Sequence, residues 1–157
     1  MSRASSTVAL ALAAALAAAS GCASFQIATP PDFARVESPR PPYEYRAVAA
    51  YGVALAMRSV PNEGHASLDF WAEAVDRTLR RTGPYHPAGS LDVRTTTGLA
   101  GRRLMYLYGG AQTGSVYWLV LYVTPARVYV LETGGTPEAF ARARSGVERA
   151  LLSFAPP

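Results

Sequence analysis

The sequence predicts an α+β fold, with a mainly antiparallel sheet of about five or six strands sandwiched between helices, and three features predict it. Short runs of alternating or continuous apolar residues recur from Tyr43 onward, separated by turn-forming residues. Two longer stretches, beginning at Ser67 and Thr136, carry capping residues and an apolar stripe at helical spacing. In Val116-Tyr117-Trp118-Leu119-Val120-Leu121-Tyr122-Val123 both alternating sets are apolar, so both faces of that strand need cover. One layer of helix on each side of the sheet satisfies that need.

The chain has 157 residues, and a segment unlike the rest comes first. Met1-Ser2-Arg3 is a short basic start, and Thr7 to Ala19 is an apolar stretch of Val, Leu and Ala, the two parts of a secretory signal over residues 1–21. The stretch is not amphipathic, as a buried helix would be, and it falls short of the roughly twenty apolar residues of a spanning helix. Ala19-Ser20-Gly21-Cys22 then resembles the lipobox of bacterial lipoproteins, with Ala19 where the family usually has Leu and with Leu16 just upstream. The resemblance implies cleavage before Cys22 and acylation of its thiol. Ordinary signal cleavage, leaving a free thiol, is the competing reading. Cys22 is the single cysteine, so no intramolecular disulfide is available to it in an exporting context. Two or more acyl chains anchor a protein stably where one does not. Ala23, in place of Asp, resembles the outer-membrane pattern of Gram-negative lipoproteins.

Residues 22–42 follow as a tether, with Pro30, Pro31, Pro39, Pro41 and Pro42 and no apolar period long enough for an element. Extended at about 3.1 Å per residue, twenty residues reach roughly 60 Å. Phe25, Ile27 and Phe33 open a second reading, a linker partly docked on the domain or dipping into the membrane interface.

Residues 43–157 form the domain. Tyr43–Ala50 and Val53–Val60 read as strands around Tyr51-Gly52, the spacing of a two-residue hairpin, and Pro61-Asn62-Glu63-Gly64 stops the second. Ser67 is the N-cap of a helix with Asp69 in its first turn, closed by Arg80-Arg81 and Gly83-Pro84. Its stripe is Leu68, Trp71, Val75 and Leu79, widened by Phe70 and Ala74. After a Pro/Gly-containing loop come strands over Leu91–Thr97, Arg102–Tyr108, Val116–Thr124 and Arg127–Thr133. Gly109-Gly110 and Gly114 mark one turn and Pro125-Ala126 the next. Thr136-Pro137-Glu138 opens the last helix with a cap, a proline at the first position and an acid in the first turn. Phe140, Ala143, Val147 and Leu151 share its inner face.

The closing pattern, Arg127-Val128-Tyr129-Val130-Leu131, a turn, a helix and Ser153-Phe154, resembles the C-terminal end of the PsbP-like superfamily. The resemblance covers about the last third in detail and the remainder as element order. It implies an α/β/α sandwich with an antiparallel sheet and a role as adaptor or assembly factor rather than enzyme.

The residues carry no recognisable catalytic set. The two histidines, His65 and His86, fall in loops, and Glu63-Gly64-His65 supplies too few ligands for a zinc site, so no metal and no cofactor is expected. Nucleophile-elbow, phosphate-loop and metalloprotease motifs are missing. Glu73 and Arg77 read as a surface i,i+4 pair beside Asp76. Asp92 and Glu132, from separate strands, make a carboxylate pair only if the fold brings them together. The net charge of +4 comes from fifteen scattered arginines interleaved with acids, without a basic stripe or a base-reading motif, which excludes nucleic acid as the expected partner.

Aromatic residues are the one feature with a functional pull. Tyr106 and Tyr108 share one face by strand period, as do Trp118 and Tyr122, and Tyr129 is a neighbour. Tyrosine and tryptophan favour binding surfaces, though core and cross-strand packing is their commoner use, and only a half-covered Trp118 face would leave a groove. The expectation is a membrane-anchored, non-enzymatic envelope lipoprotein that binds an envelope protein, with Trp118, Tyr122, Tyr106 and Tyr108 as candidate contacts. A module for a small apolar ligand or lipid is the alternative, and a hydrolase built on the carboxylates the third.

Overall fold

The computed structural model describes residues 25–110 and 114–157. The signal segment over residues 1–21 and Cys22 lie outside the described residues.

Seven strands form one antiparallel sheet: β1 (Phe33–Arg35), β2 (Tyr45–Ala49), β3 (Ala54–Pro61), β4 (Tyr85–Arg94), β5 (Ala100–Tyr108), β6 (Ser115–Val123) and β7 (Arg127–Gly135). Their order across the sheet is β1-β2-β3-β7-β6-β5-β4. Helix α1 (Leu68–Thr82) packs on one face and α2 (Pro137–Leu152) on the other.

The sandwich follows from alternation along β6. Trp118, Val120 and Tyr122 point to the α2 side and join Phe140, Val147, Leu151 and Phe154 in one core. Leu119 and Leu121 point to the α1 side and join Ala72, Leu104, Tyr106, Val128 and Val130 in the other. A strand that is apolar on both faces is thereby covered on both. Phe154 is fully buried, stacked on Tyr122 at 5.4 Å and tilted against Tyr129 at 5.0 Å.

The helix ends are where their capping residues place them. The Ser67 side chain accepts from Phe70 N–H, and the Thr136 side chain accepts from Ala139 N–H with Pro137 in the first turn. Leu68, Trp71, Val75 and Leu79 face the second core. Phe70, expected to widen that stripe, is instead 57% exposed, edge-on to Trp71. The position after Asp69 has rotated past the edge of the buried stripe.

Three differences from expectation each have a local reason. The sheet has seven strands rather than five or six, because Phe33–Arg35 from the proline-rich segment pairs with Ala47–Ala49 as an edge strand. That segment is docked: Gln26 bridges Ala155, and Phe25 and Ile27 pack on the α2-side core. Strand β4 begins at Tyr85, where a Pro/Gly loop was expected, because an edge strand tolerates Pro87 and takes up the irregularity as a bulge between Pro87 and Gly89. Finally, the β2–β3 hairpin closes with Ala49 N–H on Val53 O, so its loop is the three residues Ala50–Gly52. Gly52 at φ +89° takes the left-handed position that ends this turn, in place of a two-residue connection.

Asn62 locks the loop before α1. It is buried, its amide donates to Thr124 O and Ala66 O, and its oxygen accepts from Ala66 N–H and Trp71 Nε1. Among the described residues no helix is long and apolar enough to cross a membrane.

Candidate functional site

Helix α1 lies over β4, β5 and β6, and leaves part of its side of the sheet open. Strand alternation brings Arg46 of β2, Ala54, Ala56 and Arg58 of β3, Glu132 and Gly134 of β7 and Tyr117 of β6 to that face. With Tyr43, all of these but Arg58 border an open groove of about 300 Å³, and Arg58 adjoins it through its ion pair with Glu132. Its floor is built from Ala54, Ala56 and Gly134, small residues over which another chain's backbone can approach closely.

Glu132 organises the polar rim. Its carboxylate accepts from Arg58 Nη2 at 3.1 Å and from the Tyr43 hydroxyl at 3.2 Å, with the Glu132 side chain 14% exposed. Burial first and the Glu132 charge second push the Tyr117 phenol far above its ordinary range. Tyr43 is raised by the same two causes. Both phenols therefore remain protonated, and that of Tyr43 donates to a carboxylate already paired with a guanidinium. The groove offers hydrogen-bonding groups and flat apolar floor, the properties of a recognition surface.

A second concavity lies on the other side of the sheet, between α2 and the β4–β5 edge. It encloses about 220 Å³ and is walled by Leu91, Val93, Val120, Tyr122 and Leu151. Arg103 is the cation in this apolar wall, 9% exposed and with its guanidinium 4.2 Å from the Trp118 ring centre. Its Nη1 donates to Glu148 Oε1 at 3.3 Å, while its Nε has no hydrogen-bond partner among the described residues. Arg144 shares the same Glu148 oxygen at 3.3 Å, so two guanidinium groups face one carboxylate.

The four aromatic candidates divide between core and surface. Trp118 is buried edge-on to Phe140 at 4.6 Å. Tyr122 is fully buried, and its hydroxyl donates to Leu151 O at 2.9 Å. The open groove considered for the Trp118 face is thus filled at these residues by α2, although Tyr122 walls the Arg103 cavity. Tyr106 is buried beneath α1, its hydroxyl donating to Asp76 Oδ1 at 2.8 Å. Tyr108 is 46% exposed and tilted against Tyr85 at 4.9 Å. The two pairs face opposite layers, so they do not form one patch.

The remaining candidates are scattered. Asp92 and Glu132 share a face but stand on β4 and β7, three strands apart, or about 14 Å at the usual strand spacing. Asp92 pairs instead with Arg102, which also binds Asp69. His65 Nδ1 donates to Pro125 O at 2.7 Å, at the end of the sheet opposite that of His86, whose partner in β5 is Leu107. Glu73 and Arg77 form the expected exposed pair. Among the described residues no three His, Cys, Asp or Glu side chains cluster as metal ligands.

Tyr43, Arg46, Arg58, Tyr117 and Arg103 were not singled out from sequence. Arg103 had a signal: in Arg102-Arg103 within a strand covered on both faces, one arginine must point into each layer. The groove had none, since it exists only because α1 is too far toward β4 to cover β2 and β3.

Neither a family model nor a curated protein matches this sequence. Solved structures do match its fold. LpqN of Mycobacterium tuberculosis, involved in cell envelope biogenesis, superposes with a TM-score of 0.66 at 13% identity, over 80% of this chain and 79% of its own. PA94 of Pseudomonas aeruginosa, a protein of unknown function, gives 0.58 at 13% identity over 85% and 83%. The cyanobacterial PsbP of Synechocystis gives 0.54 at 10% identity over 88% and 96%. The likeness is one of fold, and the fold is the PsbP-like α+β sandwich.

Proposed function

We propose that this protein is a lipid-anchored envelope lipoprotein whose domain is a non-enzymatic binding module for another envelope protein. The groove over Ala54, Ala56 and Gly134 is the observation that carries it: an open stretch of sheet, rimmed by Tyr43, Arg46, Tyr117 and Glu132, the last paired with Arg58, where interfacial residue types surround a floor without side-chain bulk. The basic, apolar N-terminus ending in Ala19-Ser20-Gly21-Cys22 supports the anchor, and the involvement of the similarly folded LpqN in envelope biogenesis is consistent with the location. Outer-membrane placement rests on Ala23 following Cys22. A photo-crosslinking residue at Ala56, in cells of the source organism, is expected to give a discrete adduct that the same residue at exposed Arg142 of α2 does not. Identical adduct patterns from the two positions would contradict the assignment of the groove.

The Arg103 cavity favours a second reading, a site for a small apolar carboxylate. Its volume is below the roughly 300–1,000 Å³ of drug-sized sites, which limits it to a short single chain. Titration with octanoate is expected to saturate in the wild type and to weaken at least about tenfold in Arg103→Met, the loss of one charge-assisted hydrogen bond. Unchanged binding in that variant sinks this reading.

A further inference from the structure

We infer that the domain stands directly on the bilayer, with the end of the sheet at the α2 C-terminus facing the phospholipid headgroups. The inference rests on the proposed acylation of Cys22 and on where the chain after it is fixed.

The proline-rich segment does not hang free between anchor and domain. Gln26 N–H donates to Ala155 O at 2.9 Å and Ala155 N–H returns to Gln26 O at 3.0 Å. Ala28 N–H donates to Ser153 Oγ at 2.8 Å, Thr29 Oγ1 meets the Tyr45 hydroxyl at 2.9 Å, and Phe33 is buried in the α2-side core. Phe25 and Ile27 pack on the same core. These attachments, together with the β1–β2 ladder, tie residues 25–35 to the domain. Between Cys22 and Phe25 there are then only Ala23 and Ser24. Three residue steps span at most about 11 Å even when extended, against the roughly 60 Å of a free tether.

So short a leash determines which surface meets the membrane. Gln26 lies beside Ala155, just past the C-terminus of α2, and the β4–β5 turn is beside it, since Thr96 N–H donates to Leu152 O at 2.8 Å. Arg35, Arg94 and Arg149 are exposed at this end and suit headgroup phosphates. The opposite end of α2, at Glu138, is fifteen residues from Ser153, or about 22 Å farther from the bilayer along the helix. The groove, which lies on the other sheet face over Ala54, Ala56 and Gly134, is left accessible from the side.

The test uses the acylated mature protein, verified by mass, in vesicles of phosphatidylcholine and phosphatidylglycerol containing nitroxide-headgroup lipid. A fluorophore at Thr96→Cys is expected to be quenched at least about twofold more than one at Glu138→Cys, given their separation along the helix. Inserting a Gly/Ser linker of about fifteen residues between Ser24 and Phe25 is expected to abolish that difference. Equal quenching at the two positions in verified acylated protein overturns the orientation and leaves the anchor intact. A mature chain without acyl mass overturns the anchor and the orientation together.

Discussion

At the scale of single residues, the tyrosines separate the visible part of the sequence from the hidden part. Tyr122 was recognisable as a member of an alternating strand, but its use depends on Leu151, twenty-nine positions later, whose carbonyl accepts its hydroxyl. Burial pushes the Tyr122 phenol up to about 12, and Tyr106 and Tyr117 are raised further, again chiefly by burial. An unfolded tyrosine ionises near pH 10, so between that pH and the folded value the native state holds protons that the unfolded chain has lost. The stability due to these phenols is complete below about pH 10 and declines as pH rises. Denaturant melts are therefore expected to show a midpoint falling steeply above pH 10. Tyr122→Phe should show a shallower fall there, with about 1 kcal/mol lost at pH 7 from the missing hydrogen bond. An equally steep fall in the variant would exclude Tyr122 as a contributor. Gly101 imposes a tighter demand, because a Cβ there would come within 2.5 Å of the Tyr122 ring and 2.6 Å of Leu121 O.

The elements were legible to the extent that their signals are local. Ser67 and Thr136 cap their helices, and both faces of β6 are covered, because capping and alternation are decided within a few residues. The misses come from pairings between distant segments. Strand β1 has three residues and no alternation of its own, and it is a strand only because β2 offers an edge. The same holds for Tyr85 to Ser90, where Pro87 and Gly89 read as loop until β5 supplies the ladder. Asn62, visible as part of a stop signal, joins the end of β3 to α1 and to the β6–β7 turn through four side-chain hydrogen bonds. Asn62→Ala leaves the Trp71 indole and the Thr124 carbonyl without these partners, and is expected to cost about 2–3 kcal/mol by chemical denaturation. Exposed Arg142→Ala should stay within about 0.5 kcal/mol. Equal effects of the two substitutions would show that the Asn62 network does not hold these elements together.

For the molecule as a whole, fold class could be read from the sequence, while the groove proposed for recognition could not. The sandwich is demanded by a central strand apolar on both sides, and LpqN, PA94 and the cyanobacterial PsbP share it at 10–13% identity. The groove is created by the lateral placement of α1, a matter of how layers pack rather than of any motif. Of the four aromatics marked as contacts, Trp118, Tyr122 and Tyr106 serve the core and Tyr108 remains exposed. The anchor is a purely sequence-level inference, on which both the envelope location and the membrane-facing orientation depend. The mass of the membrane-extracted protein, compared with that of a Cys22→Ser form, tests it most directly. The wild type is expected to lack residues 1–21 and to carry acyl mass on Cys22, with the variant unacylated; a wild-type chain that keeps those residues, or that is cleaved but bears a free thiol, contradicts the account.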